Sequence, residues 1–153
     1  MTEALRPAAG TEYAKIGGWL ILPAIGTVLA PLWTLKEVVQ LLAAIFSPNW
    51  GHTAPAVQNL IVGEVVVNVL VAAAWLFTAF LLFKLKKLFP AAFITMCAVS
   101  LVATFFDIII ANSIVGIRWE SQDSTTILKP LLYAAIWIPY MVFSRRVKNT
   151  FIN

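Results

Sequence analysis

Glu64 and Asn68 lie four residues apart inside a run, Val57 to Phe83, that holds one ionisable group and three amides in 27 residues. As a helix rising about 1.5 Å per residue, that run reaches about 40 Å, enough to cross a bilayer core of about 30 Å. Positions i and i+4 share one helix face. A carboxyl at membrane depth is costly, so this face is expected to meet other helices, a partner or water.

Two further runs carry the same kind of stripe. The third apolar run presents Cys97, Ser100, Thr104, Asp107 and Ala111, and the fourth presents Lys129, Tyr133, Trp137, Tyr140 and Ser144. In the second run the stripe continues from Glu64 and Asn68 through Ala72, Trp75 and Ala79. Spacing of three and four puts each stripe on one face. Counted at 1.5 Å per residue from the outer ends, Glu64 lies about 10 Å deep and Asp107 about 7 Å deep. Lys36 and Glu37 reach that level from the first run, and Lys129 opens the fourth run there.

These residues define a candidate pocket: Glu64, Asn68, Trp75, Ser100, Thr104, Asp107, Lys36, Lys129 and Tyr133. One reading is an outward-facing polar pocket between helices that takes a lipid or an amphipathic small molecule. A second is a hydrogen-bond and ion-pair network that fixes helix register or docks another membrane subunit or a second copy. A third, by analogy of architecture alone, is a membrane-embedded isomerase or hydrolase using Glu64 and Asp107 as acid and base. Interhelical hydrogen bonds in membranes average only about 0.6 kcal/mol, a weak reason for so many polar residues. Polar groups near an interface are nonetheless cheaper than at mid-bilayer. Lys36 or Lys129 is expected beside at least one acid, and Glu64→Leu is expected to strand a hydrogen-bond partner.

The elements that position these side chains follow from hydropathy. The 153-residue chain is 61% hydrophobic and 12% charged, about half the charged fraction of a soluble domain. The expected fold is an all-α integral membrane four-helix bundle of up-down topology, one domain over residues 1–153. Its spans are expected at about 17–45, 57–84, 91–112 and 127–143, with an interfacial extracytoplasmic loop at 113–126 that sets Trp119 at headgroup level. Pro23 and Pro31 leave open whether residues 16–46 form one kinked helix or two. Gly17, Gly18, Gly26 and Ala30 keep the first helix slim, which favours close helix contact. Residues 47–55 read as a turn, and 85–90 as a tight helical hairpin.

Eight of the eleven basic residues (Arg6, Lys15, Lys84, Lys86, Lys87, Arg145, Arg146 and Lys148) fall on one side of this topology. Positive-inside therefore predicts that both chain ends are cytoplasmic. The net charge of +4 is read as topology-setting rather than as a nucleic-acid surface. Arg145, Arg146 and Lys148 are either a stop-transfer anchor or a site for anionic headgroups. No cleavable signal sequence is evident. His52 stands alone in a turn, Cys97 is the single cysteine, and there is no phosphate loop, metal-ligand spacing or nucleophile elbow. No cofactor and no metal are expected.

Two stretches carry a family resemblance. Gly17-Gly18-Trp19-Leu20 with Pro31 downstream, and Trp137-Ile138-Pro139-Tyr140 leading to Ser144 and Arg146-Val147-Lys148-Asn149-Thr150-Phe151, resemble the bacterial family called domain of unknown function 2569. The resemblance implies a small multi-pass protein of the bacterial inner membrane. It implies no activity.

Overall fold

The computed structural model describes residues 16–110, 113 and 121–152, and among these every regular element is helical. A short 3₁₀ turn over Gly18–Leu20 leads into α1 (Ile21–Ile45), and a second such turn over Trp50–His52 precedes α2 (Pro55–Phe83). Then come α3 (Phe89–Ile110), α4 (Ser121–Phe143) and a short terminal helix α5 (Arg145–Thr150).

Helices α1 to α4 are each long and apolar enough to cross a membrane, the shortest such stretch being the 20 residues Ser124–Phe143. Hydrocarbon supplies no hydrogen bonds, so each span must close its own backbone ladder, which a helix does. Large apolar side chains such as Trp33, Leu70, Phe106 and Ile136 face outward, as befits helices whose solvent is lipid.

Residues 21–45 form one helix that passes through Pro31. Pro31 removes the ladder bond to the Thr27 carbonyl, and the nearby Thr hydroxyls bond to other carbonyls of the same helix. Here Thr27 donates to the Pro23 carbonyl at 2.8 Å and Thr34 to the Ala30 carbonyl at 3.1 Å. α4 starts at Ser121, six residues before the expected 127, because a hydropathy criterion ignores a polar opening turn. The expected loop at 113–126 is thereby shortened: residues 121–126 are helical, while Trp119 lies outside the described residues.

The connections have identifiable causes. Pro55 opens α2 at the position where proline costs no ladder bond. Gln58 ties the preceding turn down by donating to the Trp50 carbonyl at 2.6 Å. α2 ends in a Schellman arrangement, with Lys86 N–H on the Leu81 carbonyl at 3.0 Å and Leu85 N–H on the Leu82 carbonyl at 3.1 Å. The left-handed residue there is Leu85, at φ 49°. Its side chain packs against the core, which offsets a conformation that usually selects glycine.

α1 packs along α2, and α3 along α4, whereas α2 and α3 meet mainly near their connection. The core lies accordingly toward that end: Leu81 and Leu82 of α2, Phe89 and Phe93 of α3, Met141 of α4 and Phe151 are all buried. An aromatic chain runs through it, from Phe151 to Phe89 at 4.5 Å, Phe89 to Phe93 at 5.9 Å, and Phe93 to Trp75 at 6.4 Å and to Tyr133 at 6.2 Å. Gly26 admits the Tyr133 hydroxyl to α1, where any Cβ would collide with it.

The start of the first span and the segment after α4 meet in the same region. Gly18 adopts φ +58°, and the space a Cβ would take lies 3.0 Å from Arg146 Nη1. Ser144 caps α5 by accepting from Val147 N–H at 3.5 Å. Val147, Thr150 and Phe151 are buried, so α5 is fastened rather than trailing. Gly18→Ala combines a left-handed alanine with a displaced guanidinium. It is expected to cost about 1–2 kcal/mol, whereas Gly51→Ala, with nothing near its Cβ position, serves as a neutral control. Thermal unfolding of the detergent-solubilised proteins measures the difference.

Candidate functional site

Away from their connection, the halves of α2 and α3 are held apart, and a cavity of about 700 Å³ opens between them. Its α2 wall is one helical face, Asn59, Gly63, Glu64, Val67, Asn68 and Val71, ending at Trp75. Its α3 wall is Ser100, Ala103, Thr104 and Asp107 with neighbouring apolar residues. α1 adds Thr34 and Glu37, and α4 adds Thr126. Trp75 is both the inner end of the lining and a member of the buried core, so it separates the cavity from the aromatic packing beneath.

Six of the nine residues expected in a pocket line this one: Glu64, Asn68, Trp75, Ser100, Thr104 and Asp107. Lys36, Lys129 and Tyr133 are not in its lining. Lys36 lies outside the lining with its ammonium 5.5 Å from the centre of the Trp33 ring, yet near enough to Glu37 for the two charges to interact. Lys129 is exposed on α4. Tyr133 belongs to the core, against Gly26, Phe93 and Trp137. Neither lysine is in the lining, where a third acid, Glu37, joins Glu64 and Asp107; the charge of Lys36 acts on Glu37 from outside it.

The cavity is therefore acidic. Glu64 is half-buried on the α2 wall, while Glu37 and Asp107 are exposed. Asp107 is close enough to both glutamates for their charges to act on one another. Among the described residues no three His, Cys, Asp or Glu side chains converge closely enough to hold a metal ion. The acids are thus spread around a volume instead of aimed at one point.

Three of the neutral polar groups turn back onto their own helices. Asn68 donates to the Glu64 backbone carbonyl at 2.9 Å, and Thr104 to the Ser100 carbonyl at 2.9 Å, as Thr34 does to Ala30. These three donors are spent locally, the usual state of such side chains within a helix, and do not bridge the two walls. Glu64 accepts from Asn68 through its backbone carbonyl, so Glu64→Leu leaves that bond in place. Thr34, Glu37, Asn59 and Thr126 are polar lining residues outside the expected set. Of these, Thr34 and Glu37, three apart, gave the signal.

Four apolar, membrane-length helices around a cavity define this chain as a multi-pass membrane protein. It belongs to the family described as "Protein of unknown function (DUF2569)", whose model matches residues 13–152. No curated protein and no solved structure matches the chain. The residues that carry the family resemblance gather around the Gly18–Arg146 contact and the aromatic core, at the end of the bundle remote from the acidic cavity.

Proposed function

We propose that this protein binds an amphipathic small molecule or lipid with a cationic or zwitterionic head in the cavity between α2 and α3. The observation that carries this reading is the lining itself: about 700 Å³, with three carboxyls and, among the described residues, no basic side chain. That volume falls in the range of small-molecule sites, about 300–1,000 Å³. The apolar parts of the lining, Val67, Val71, Val99 and Ile110, suit a hydrocarbon portion, and the carboxyls suit a positive head. The competing idea of a helix-locking network draws little support from donors that bond within their own helices. Native mass spectrometry of gently solubilised protein tests the reading. Retention of an added alkyltrimethylammonium amphiphile, but not of an alkyl sulfate of equal chain length, is the expected result, and equal retention of both overturns it.

The orientation we propose puts both ends of the chain in the cytoplasm of a bacterium, across its inner membrane, with the cavity in the outer half. Lys84, Lys86, Lys87, Arg145, Arg146 and Lys148 all follow the spans at the end that carries α5, the asymmetry that the positive-inside rule describes. Single cysteines replacing Ser47 and Ser144 test it with a membrane-impermeant thiol reagent on intact cells. The Ser47 variant is expected to label and the Ser144 variant to stay unlabelled until the membrane is opened; the reverse pattern inverts the topology.

A further inference from the structure

At the opposite end from the acidic cavity, a groove of about 410 Å³ runs between the α2–α3 connection and α5. Its walls are apolar, Pro90, Met141, Val147, Phe151 and Ile152, and its two charged members are Lys87 and Lys148. We propose that this groove is a binding site for one anionic phospholipid, with the phosphate held between the two lysines and the first part of an acyl chain against the apolar wall.

Three independent features support that occupant. The first is rigidity. Lys148 rides on α5, which is fixed by the burial of Val147, Thr150 and Phe151 and by the 4.5 Å contact of the Phe151 and Phe89 rings. Lys87 stands in a connection shaped by the Schellman bonds at Leu81 and Leu82. Both ammonium groups are therefore carried by ordered backbone, not by a loose tail.

The second is position. Residues 84–88 follow the last residue of α2, and residues 144–152 follow α4, so the groove lies where spans leave hydrocarbon and headgroups begin. Phe83, Leu88, Phe143 and Ile152 are exposed around it, which suits contact with acyl chains. The third is charge. The segments 84–90 and 141–152 contain six basic residues and no acid. Within those segments a nearby anion meets no competing acid, and an anionic lipid surface attracts each basic residue. A cationic or zwitterionic amphiphile, proposed for the acidic cavity, would be repelled here or gain little, so the two sites select opposite heads.

The experiment is native mass spectrometry of the whole protein in a non-ionic detergent with equal amounts of phosphatidylglycerol and phosphatidylcholine. The wild-type protein is expected to retain one phosphatidylglycerol, alongside any phosphatidylcholine that the acidic cavity takes up, and retention of no phosphatidylglycerol would overturn the proposal. A lysine near an anionic surface is worth about fivefold, so Lys87→Gln with Lys148→Gln is expected to weaken that retention about thirtyfold. Lys87→Arg with Lys148→Arg is expected to keep it. The decisive control removes the same charge outside the groove, as Lys84→Gln with Arg145→Gln. Both pairs are exposed, so neither threatens folding. If the control weakens retention as much as the groove pair, the attraction is diffuse and the site does not exist. Glycerophosphate as a competitor decides whether the head alone suffices: displacement at equal concentration would overturn the assignment to a whole lipid. Glu64→Gln is expected to leave phosphatidylglycerol retention unchanged, so failure of this proposal and failure of the cavity reading remain distinct.

Discussion

Replacing Phe89 with Ala is expected to cost about 3 kcal/mol of unfolding free energy, near the low end of the range for aromatic truncations in packed cores. Phe89 is fully buried and touches both Phe93 and Phe151. It is the joint at which α3 receives α5. In water such a truncation loses both the transfer of the ring from solvent and the contacts around the hole. In lipid the first part shrinks, because an apolar ring is no worse off against acyl chains than in a core. What remains is dispersion lost across a cavity too tightly framed to close. Phe77, on the outside of α2 and 57% exposed, isolates that difference: Phe77→Ala exchanges ring contacts for lipid contacts and is expected to cost well under 1 kcal/mol, within the usual surface range. Equilibrium unfolding in mixed micelles measures both. Equal costs for the two would show that the aromatic chain does not hold the bundle together.

The spans themselves were legible because hydrocarbon imposes a single, strong rule on the backbone, and runs such as Val57 to Phe83 obey it over their whole length. Helix ends were less legible where the chain leaves the apolar phase: the polar start of α4 carries no hydropathy signal, and the cap at Leu85 uses a residue type that turn chemistry would not select. Six lining residues were readable from spacing of three and four on α2 and α3, since those helices present one polar stripe each. α1 was harder. Its inward face is marked by Pro23, Thr27, Pro31 and Thr34, all buried. At 100° per residue, Glu37 falls about 60° from Thr34 and Lys36 about 160° from it. Depth alone treats these two neighbours as equivalent, although only Glu37 reaches the lining. Tyr133 was misassigned for a related reason: its stripe is real, but Gly26 opens a slot for it in α1, a pairing between distant residues that no single-helix pattern contains.

Removing the three carboxylates of the cavity, as Glu37→Gln with Glu64→Gln and Asp107→Asn, is expected to lower affinity for an alkyltrimethylammonium amphiphile about a thousandfold. A unit charge pair about 4 Å apart is worth about 1 kcal/mol in water and about 4 kcal/mol near a protein surface. Glu37 and Asp107 are exposed and Glu64 is half-buried. We therefore assign about 1 kcal/mol to each of the first two and about 2 kcal/mol to Glu64, a total of about 4 kcal/mol. Glu64→Gln alone is then expected to weaken binding about thirtyfold, and Glu37→Gln or Asp107→Asn about fivefold. Titration followed by tryptophan fluorescence reports the affinities, because Trp75 lies in the cavity lining. Each amide keeps the shape of the acid it replaces, and the Asn68 bond to the Glu64 backbone survives every one of these changes, so folding is expected to stay intact. The order of the effects carries as much weight as their size. If Glu64→Gln weakens binding no more than the substitutions at the two exposed positions, the head does not sit beside Glu64. A combined loss below tenfold would remove the carboxylates from ligand recognition altogether.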